Sequence, residues 1–331
     1  MIEETTHWLD VERCGSCDSV DSRLIVNVQG MDILECQRCE TLRAARVLAP
    51  DVVYVEGYHR GDGDLHPFDY TAPMSLEHEV LNNSRRLAKL EKFIQPPGDL
   101  LDVGGGIGTL TALAIERGWD ATNLEPIDEA VDYAKQRGIP TIKGGIEDVE
   151  PKQRFDAITM MHVLEHLPRS REALQKAGAV MRPGGHIMIE VPHYNAMCRR
   201  VKQSDWLGWW PGQHIYYWTT DTIADLVRRA GFEVLDVRTM VLYFDGLFLD
   251  HYAYILGLAP AFRTAMSIKR RLFGGEVSTN GGSAKGGQVG APALRDQPLS
   301  RRWLTWPLEG IARLEEMTGL GETLQVIARK A

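Results

Sequence analysis

Three groups of residues in this chain have types and spacings suited to chemistry. Four of the five cysteines fall in the first forty residues, as Cys14-x-x-Cys17 and Cys36-x-x-Cys39. Each C-x-x-C turn can present two thiolates to one ion, and four thiolates close a tetrahedron with no position left for water. The spacing therefore predicts a structural zinc site. Two disulfides or a redox pair are the alternatives, and nothing in the chain points to an oxidising compartment. The fifth cysteine, Cys198, reads as a packed thiol.

The second group is the stretch Leu100 to Leu110, an apolar run followed by Gly104, Gly105, Gly106 and Gly108 and then by an amphipathic segment. A turn from strand to helix needs glycine where dihedrals are unusual and where a ligand approaches the main chain. The helix start beyond it offers unpaired N–H groups and a positive dipole end. Glu125 closes the next strand-like run, Ala121 to Glu125, where a carboxylate can accept both hydroxyls of a ribose. A dinucleotide fingerprint needs glycine at the sixth position from Gly104, where this chain has Thr109.

The third group is histidine-rich. His162, Glu165 and His166 follow the apolar run Phe155 to Met160, and His193 and Tyr194 follow a second run, His186 to Val191. Four Trp and two Tyr crowd the thirteen residues Trp206 to Trp218 around His214, dense enough to wall a pocket. Ligands in open α/β sheets bind beyond the carboxyl ends of the strands. A neutral imidazole there accepts a proton near neutral pH, so His162 and His214 are the candidate bases. His166 reads as a structural residue opening the next helix, and His214 as a cap of the helix after it is the plain alternative to the base.

The elements that must position these groups alternate. Residues 23–35 read as a hairpin turning near Gly30, which completes a ribbon over 1–45. Residues 46–74 hold no period and serve as a connector or a lid. From Ser75 a helix carries Leu76, Val80, Leu87, Leu90, Phe93 and Ile94 on one face, until Pro96-Pro97-Gly98 stops it. Strands then alternate with helices at 128–136, 168–181 and 219–230, which implies a parallel sheet. Phe232 to Val241 is the sixth strand, and Glu322 to Lys330 reads as the missing last one. The core is thus 75–241 plus 321–331, with an insertion over 242–320. In that insertion, 244–273 turns from apolar to basic, 274–300 is glycine-rich, and 301–317 is a helix carrying Trp303 and Trp306.

The pattern Asp102-x-Gly104-x-Gly106-x-Gly108 resembles motif I of the class I S-adenosylmethionine (SAM) dependent methyltransferases. The run FDAITMMHVLEHLP…MRPGGHIMIEVP resembles the region after that motif, in the UbiE/UbiG-like branch, so the likeness covers roughly residues 75–240. It implies an α/β, Rossmann-like seven-stranded sheet with SAM held by Asp102, Gly104, Gly105, Gly106, Gly108 and Glu125. It also puts the adenine beside Gly144 to Asp148, with Ile146 packing on it and Glu147 supplying a polar contact. Related proteins often carry Asp where this chain has Gly145. A histidine followed by aromatics just before the 219–230 helix is also a feature of methyltransferases that this stretch resembles. A zinc ribbon ahead of a SAM domain is similar to the arrangement in deoxysugar C-methyltransferases and in some ribosomal RNA methyltransferases.

Composition narrows the acceptor. The formal net charge of −8 argues against a nucleic-acid partner, whose affinity rests on Lys and Arg neutralising phosphates. The Asn/Asp-Pro-Pro-aromatic motif of amino-directed nucleic-acid methyltransferases is absent after Met160. The acidic start Met1-Ile2-Glu3-Glu4 lacks the apolar region of a secretory signal, so a cytoplasmic enzyme is expected. The reading is O- or C-methylation of a small molecule or glycan precursor. An RNA methyltransferase with a substrate-binding ribbon, or a non-catalytic SAM-binding partner, are the rivals. The 244–273 and 301–317 segments leave three roles open: membrane-surface contact, a homodimer contact, or packing on each other.

Overall fold

The computed structural model describes residues 7–54, 58–60, 69–150, 155–242 and 313–331. The 244–273 and 274–300 parts of the insertion lie outside these residues, and of the 301–317 helix only the last turn, 313–317, falls within them.

The chain opens with β1 (Trp8–Asp10), the hairpin β2 (Ser22–Val28) and β3 (Met31–Cys36), then β4 (Leu42–Ala44), β5 (Arg46–Leu48) and the short α1 (Pro50–Val53). The hairpin turns at Gln29 and Gly30, as its sequence predicts. The connector is partly ordered from its first residues, because β5 pairs antiparallel with β1. After it, α2 (Pro73–Leu90) leads into β6 (Asp99–Val103), α3 (Thr109–Glu116), β7 (Asp120–Glu125), α4 (Asp128–Gln136) and β8 (Thr141–Lys143). Next come β9 (Phe155–Met161), α5 (Ser170–Val180), β10 (Met181–Pro192), α6 (Met197–Lys202), β11 (Tyr216–Tyr217), α7 (Thr220–Arg229), β12 (Phe232–Met240) and β13 (Thr323–Lys330). Thr219 caps α7 in a reciprocal box with Thr222.

The seven-stranded sheet has the order β12-β13-β10-β9-β6-β7-β8. Its middle strands run parallel, while β13 lies antiparallel between β10 and β12. Residues 323–330 are therefore a sheet strand, as expected, and an interior one, hydrogen-bonded to a neighbour on each side. Period-two alternation sends side chains to two cores. Leu100, Ala157, Met188 and Ile327 pack with Leu87 and Leu90 of α2 and with Leu110 and Leu113 of α3. The other face, including Leu101, Ile158, Ile189 and Val326, packs on α5 and α7.

That second core also contains Met31, Ile33, Leu42 and Val47 of the N-terminal segment. The ribbon is thus welded to the sheet. Its own sheet runs β11-β4-β3-β2, so the strand Tyr216–Tyr217 from the far end of the chain completes it.

Candidate functional site

A cavity of about 600 Å³ opens at the carboxyl ends of β6, β7, β9 and β10, reaching from Gly106 and Glu125 at one end to His166 and His214 at the other. The crevice position is the one that parallel strand order dictates.

At the first end the main chain does the shaping. Gly104 holds φ +64°, and a Cβ there would lie 2.5 Å from Val163 Cγ2. A Cβ on Gly105 would meet Asn123 Oδ1 at 2.3 Å and Asp102 Oδ2 at 2.4 Å, so space alone demands glycine. Asp102 is buried beneath the turn and accepts hydrogen bonds from Thr159 (2.8 Å) and Thr111 (3.0 Å). Burial pushes its pKa up to about 6 against those two bonds. Glu125 is buried at the end of β7, where Oε2 accepts from Gly106 N (2.9 Å) and Oε1 from Ile127 N (3.0 Å). The carboxylate is locked in place, with lone pairs to spare for a ligand hydroxyl. Ile146 and Glu147 line the same end.

His59 was not singled out by its sequence context. It lies over the glycine turn, its Cε1 3.5 Å from where a Cβ on Gly106 would sit, and its Nε2 is 3.9 Å from Glu125 Oε1.

The two expected bases sit in opposite electrostatic settings. His162 has φ +55°, and its Nδ1 and Nε2 lie 3.2 Å from Glu165 Oε1 and from Glu190 Oε1. Burial opposes charge on this ring, but the hydrogen bonds to the two carboxylates outweigh it and raise the pKa to about 9. Both ring nitrogens are thus engaged by carboxylates, a setting that favours the charged ring over a base's free lone pair. The clamp continues below: Glu190 is paired with buried Arg86 and accepts from Gln325 Nε2 (2.6 Å). Burial would raise the Glu190 pKa, yet Arg86 and His162 hold it well below the usual carboxylate range.

His214 is different. Its Nδ1 bonds to Gly208 O (2.9 Å), and burial lowers its pKa to about 4, so it is neutral at physiological pH. With Nδ1–H donated to the carbonyl, Nε2 carries the lone pair. His166 stands against it, ring centroids 4.7 Å apart and edge to face. Its Nδ1 bonds to Gln213 O (3.2 Å), and burial together with His214 lowers its pKa to about 4. The expectation that His166 merely opens a helix is corrected here: it ends the turn Leu164–His166 and lines the cavity. Sequence reasoning also passed over the burial of Glu165, which is 0% exposed.

The aromatic run divides its labour. Trp206 and Trp210 line the cavity, while Tyr216, Tyr217 and Trp218 are wholly buried. The loop they occupy is tied to the N-terminal segment by Leu48 N to Gly212 O and Ala44 N to Ile215 O, both 2.8 Å. Tyr217 Oη donates to Trp209 O (2.7 Å), and Ile215 N donates to Glu165 O (2.7 Å).

The four cysteines come together at the start of the ribbon. Sγ atoms of Cys14 and Cys39 are 3.6 Å apart and those of Cys17 and Cys36 3.5 Å, and all four lie within 4.8 Å of one another. These distances exceed a disulfide bond and approach the ~3.8 Å edge of a tetrahedron with metal–sulfur bonds of ~2.3 Å. Tyr216 Oη accepts from Gly15 N (2.8 Å) inside the first knuckle and donates to Pro168 O (2.8 Å), joining the cluster to the cavity wall.

The chain is also similar to known proteins. Residues 76–237 match the family described as "Methyltransferase domain". The C-methyltransferase NovU of Streptomyces niveus is 24% identical over 253 residues, covering 70% of this chain and 55% of that protein. A ubiquinone biosynthesis O-methyltransferase of Vibrio vulnificus is 26% identical over 142 residues, covering 40% of this chain and 57% of its own length. The chain thus spans little more than half the length of these relatives. Among solved structures, a SAM-dependent methyltransferase from Archaeoglobus fulgidus covers 76% of this chain and 94% of its own, at 16% identity and a TM-score of 0.45. The matched stretch, 76–237, carries most of the seven-stranded sheet, so it is this part of the chain that is similar to the methyltransferase domain family.

Proposed function

We propose that this chain is a SAM-dependent methyltransferase acting on a small molecule or glycan precursor, at oxygen or carbon. The observation that carries the reading is one continuous cavity joining the Glu125 glycine turn to the neutral His166–His214 pair. Glu125, with both oxygens fixed by backbone N–H groups, would hold the ribose hydroxyls, and Ile146 would pack on the base. When bound, SAM supplies an electrophilic methyl group on a sulfonium.

The chain's own residues do the rest. Trp206, Leu207 and Trp210 wall the acceptor end and exclude water. His214, oriented through Nδ1, would accept the acceptor's proton at Nε2. Alignment of the reacting groups can supply roughly 7–11 kcal/mol, and a general base adds about 10²–10⁴-fold. His162 has a different task. As a cation between Glu165 and Glu190 it fixes the floor of the site and balances two buried carboxylates.

Zinc is the ion proposed for Cys14, Cys17, Cys36 and Cys39, in a closed structural role, since four thiolates leave no open position. The relatives named for C- and O-methylation support a small-molecule acceptor. The test is calorimetric SAM binding, followed by release of S-adenosylhomocysteine with a panel of phenols and nucleotide-linked sugars. Failure to bind SAM would overturn the reading.

A further inference from the structure

We propose that Glu165, His166 and His214 form a second metal site, at the acceptor end of the cavity, that takes a divalent first-row transition-metal ion. A carboxylate oxygen of Glu165 and one ring nitrogen of each histidine lie within 4.8 Å of one another. Two imidazoles and one carboxylate are a ligand set that suits Zn²⁺, Co²⁺ or Fe²⁺ and leaves coordination positions open.

The surroundings favour an ion over a chance cluster. Metal-ligating histidines commonly donate the other ring N–H to a carbonyl, which fixes the tautomer and the ring plane. Both histidines here do so, His166 to Gln213 O at 3.2 Å and His214 to Gly208 O at 2.9 Å. That leaves Nε2 of each with its lone pair. Glu165 is wholly buried, its Oε1 is shared with His162, and its Oε2 has no hydrogen-bond partner among the described residues. A buried carboxylate oxygen without a partner is costly, and a cation would satisfy it. The main chain also binds the three ligands together, because Ile215 N donates to Glu165 O at 2.7 Å, one residue beyond His214. The set is chemically distinct from the four-thiolate cluster, so the two sites differ in what they select.

The functional consequence rests on the proposed role of His214. An ion there takes the Nε2 lone pair that proton acceptance needs, so occupancy of this site and base-assisted turnover exclude each other. Added transition metal is then an inhibitor that a mild chelator relieves.

The experiment uses the full chain with zinc at its cysteines, titrated with Co²⁺. The wild-type protein is expected to take up one further equivalent, with ligand-field absorption and no thiolate-to-cobalt charge-transfer band. Glu165→Gln and His166→Ala should each weaken that uptake beyond the about 10–100-fold that losing an outer-sphere partner costs, with SAM affinity retained as proof of folding. Wild-type protein that binds SAM but no cobalt outside the cysteines overturns the site, as does uptake that survives both substitutions. Cobalt uptake with the expected spectrum, in a protein that methylates nothing even after a mild chelator has removed the cobalt, upholds the site and instead defeats the proposed base.

Discussion

At the Glu125 end the cavity is shaped by main chain, and at the His214 end by side chains held from far away. The first end lies within 102–147 and is assembled by local rules: a strand, a glycine turn too tight for a Cβ at Gly104 and Gly105, a helix start, and a carboxylate closing the next strand. The second draws on Glu165 and His166 after β9, on the loop carrying His214, and on the N-terminal segment that pins that loop at Ala44 and Leu48. A local device is fixed as soon as its strand and helix form. A distributed device is only as good as its most distant tie. The two ends should therefore fail separately, and substitutions can show whether they do.

The largest effect is expected at the most distant tie. Metal binding at four-thiolate sites contributes apparent free energies on the order of 10–16 kcal/mol to local folding. Cys36→Ser should release the ribbon, and with it the strand Tyr216–Tyr217 that completes the ribbon sheet. The outcome expected is loss of zinc and of methyl transfer, while calorimetric SAM affinity stays within a few-fold. Equal collapse of SAM binding would mean that the ends are one cooperative unit. Fully retained turnover without zinc would mean that the ribbon does not hold the acceptor loop.

His214→Ala tests the acceptor end from inside. Turnover should fall by about 10²–10⁴-fold with SAM affinity nearly constant. A parallel loss of SAM binding would mark His214 as structural. Glu125→Ala is the mirror experiment at the cofactor end. Removing a charge-assisted acceptor should weaken SAM binding by about 1.5–3 kcal/mol, and saturating SAM should restore most of the turnover. If saturation restores nothing, the carboxylate is acting on more than binding.

The same contrast explains what could be read from residues alone. The strand–helix alternation, the last strand at 322–330, the glycine turn and Glu125 all follow short-range rules. The existence of β13 followed from counting the strands that the resemblance requires, while its interior position is seen only in the fold. The His162 charge state was not legible, because it depends on Glu190, 28 residues away, which reads as one polar residue within a buried strand. Nor did the spacing of His162 and His166 reveal which one would face a neutral partner. His166 meets His214 only because the loop folds back, and the ties that fold it back come from residues 44 and 48. Burial of a ribbon against the sheet likewise has no signature in a C-x-x-C spacing. Among the described residues no helix is long and apolar enough to cross a membrane. The possible contact faces at 244–273 lie outside those residues.

The smallest effect is the sharpest test of how the two regions communicate. Tyr216 is wholly buried, and its ring stacks on Trp218 with centroids 5.5 Å apart. Its hydroxyl links the knuckle at Gly15 to Pro168, two residues past His166. Tyr216→Phe keeps the ring, the strand pairing and the cysteines, and removes only that oxygen. Two backbone groups then lose a partner, one on half-buried Gly15 and one on exposed Pro168, at a cost of about 0.5–1.5 kcal/mol in stability. Denaturant unfolding should register the loss. If the hydroxyl also sets the position of the His166 turn, turnover should drop several-fold at saturating acceptor, with zinc content and SAM affinity unchanged. A purely structural hydroxyl would lower stability alone and leave turnover per folded molecule as it was. In that case the acceptor end is held by its main-chain ties at Ala44 and Leu48, and the ribbon acts as a scaffold without steering the turn that carries Glu165 and His166.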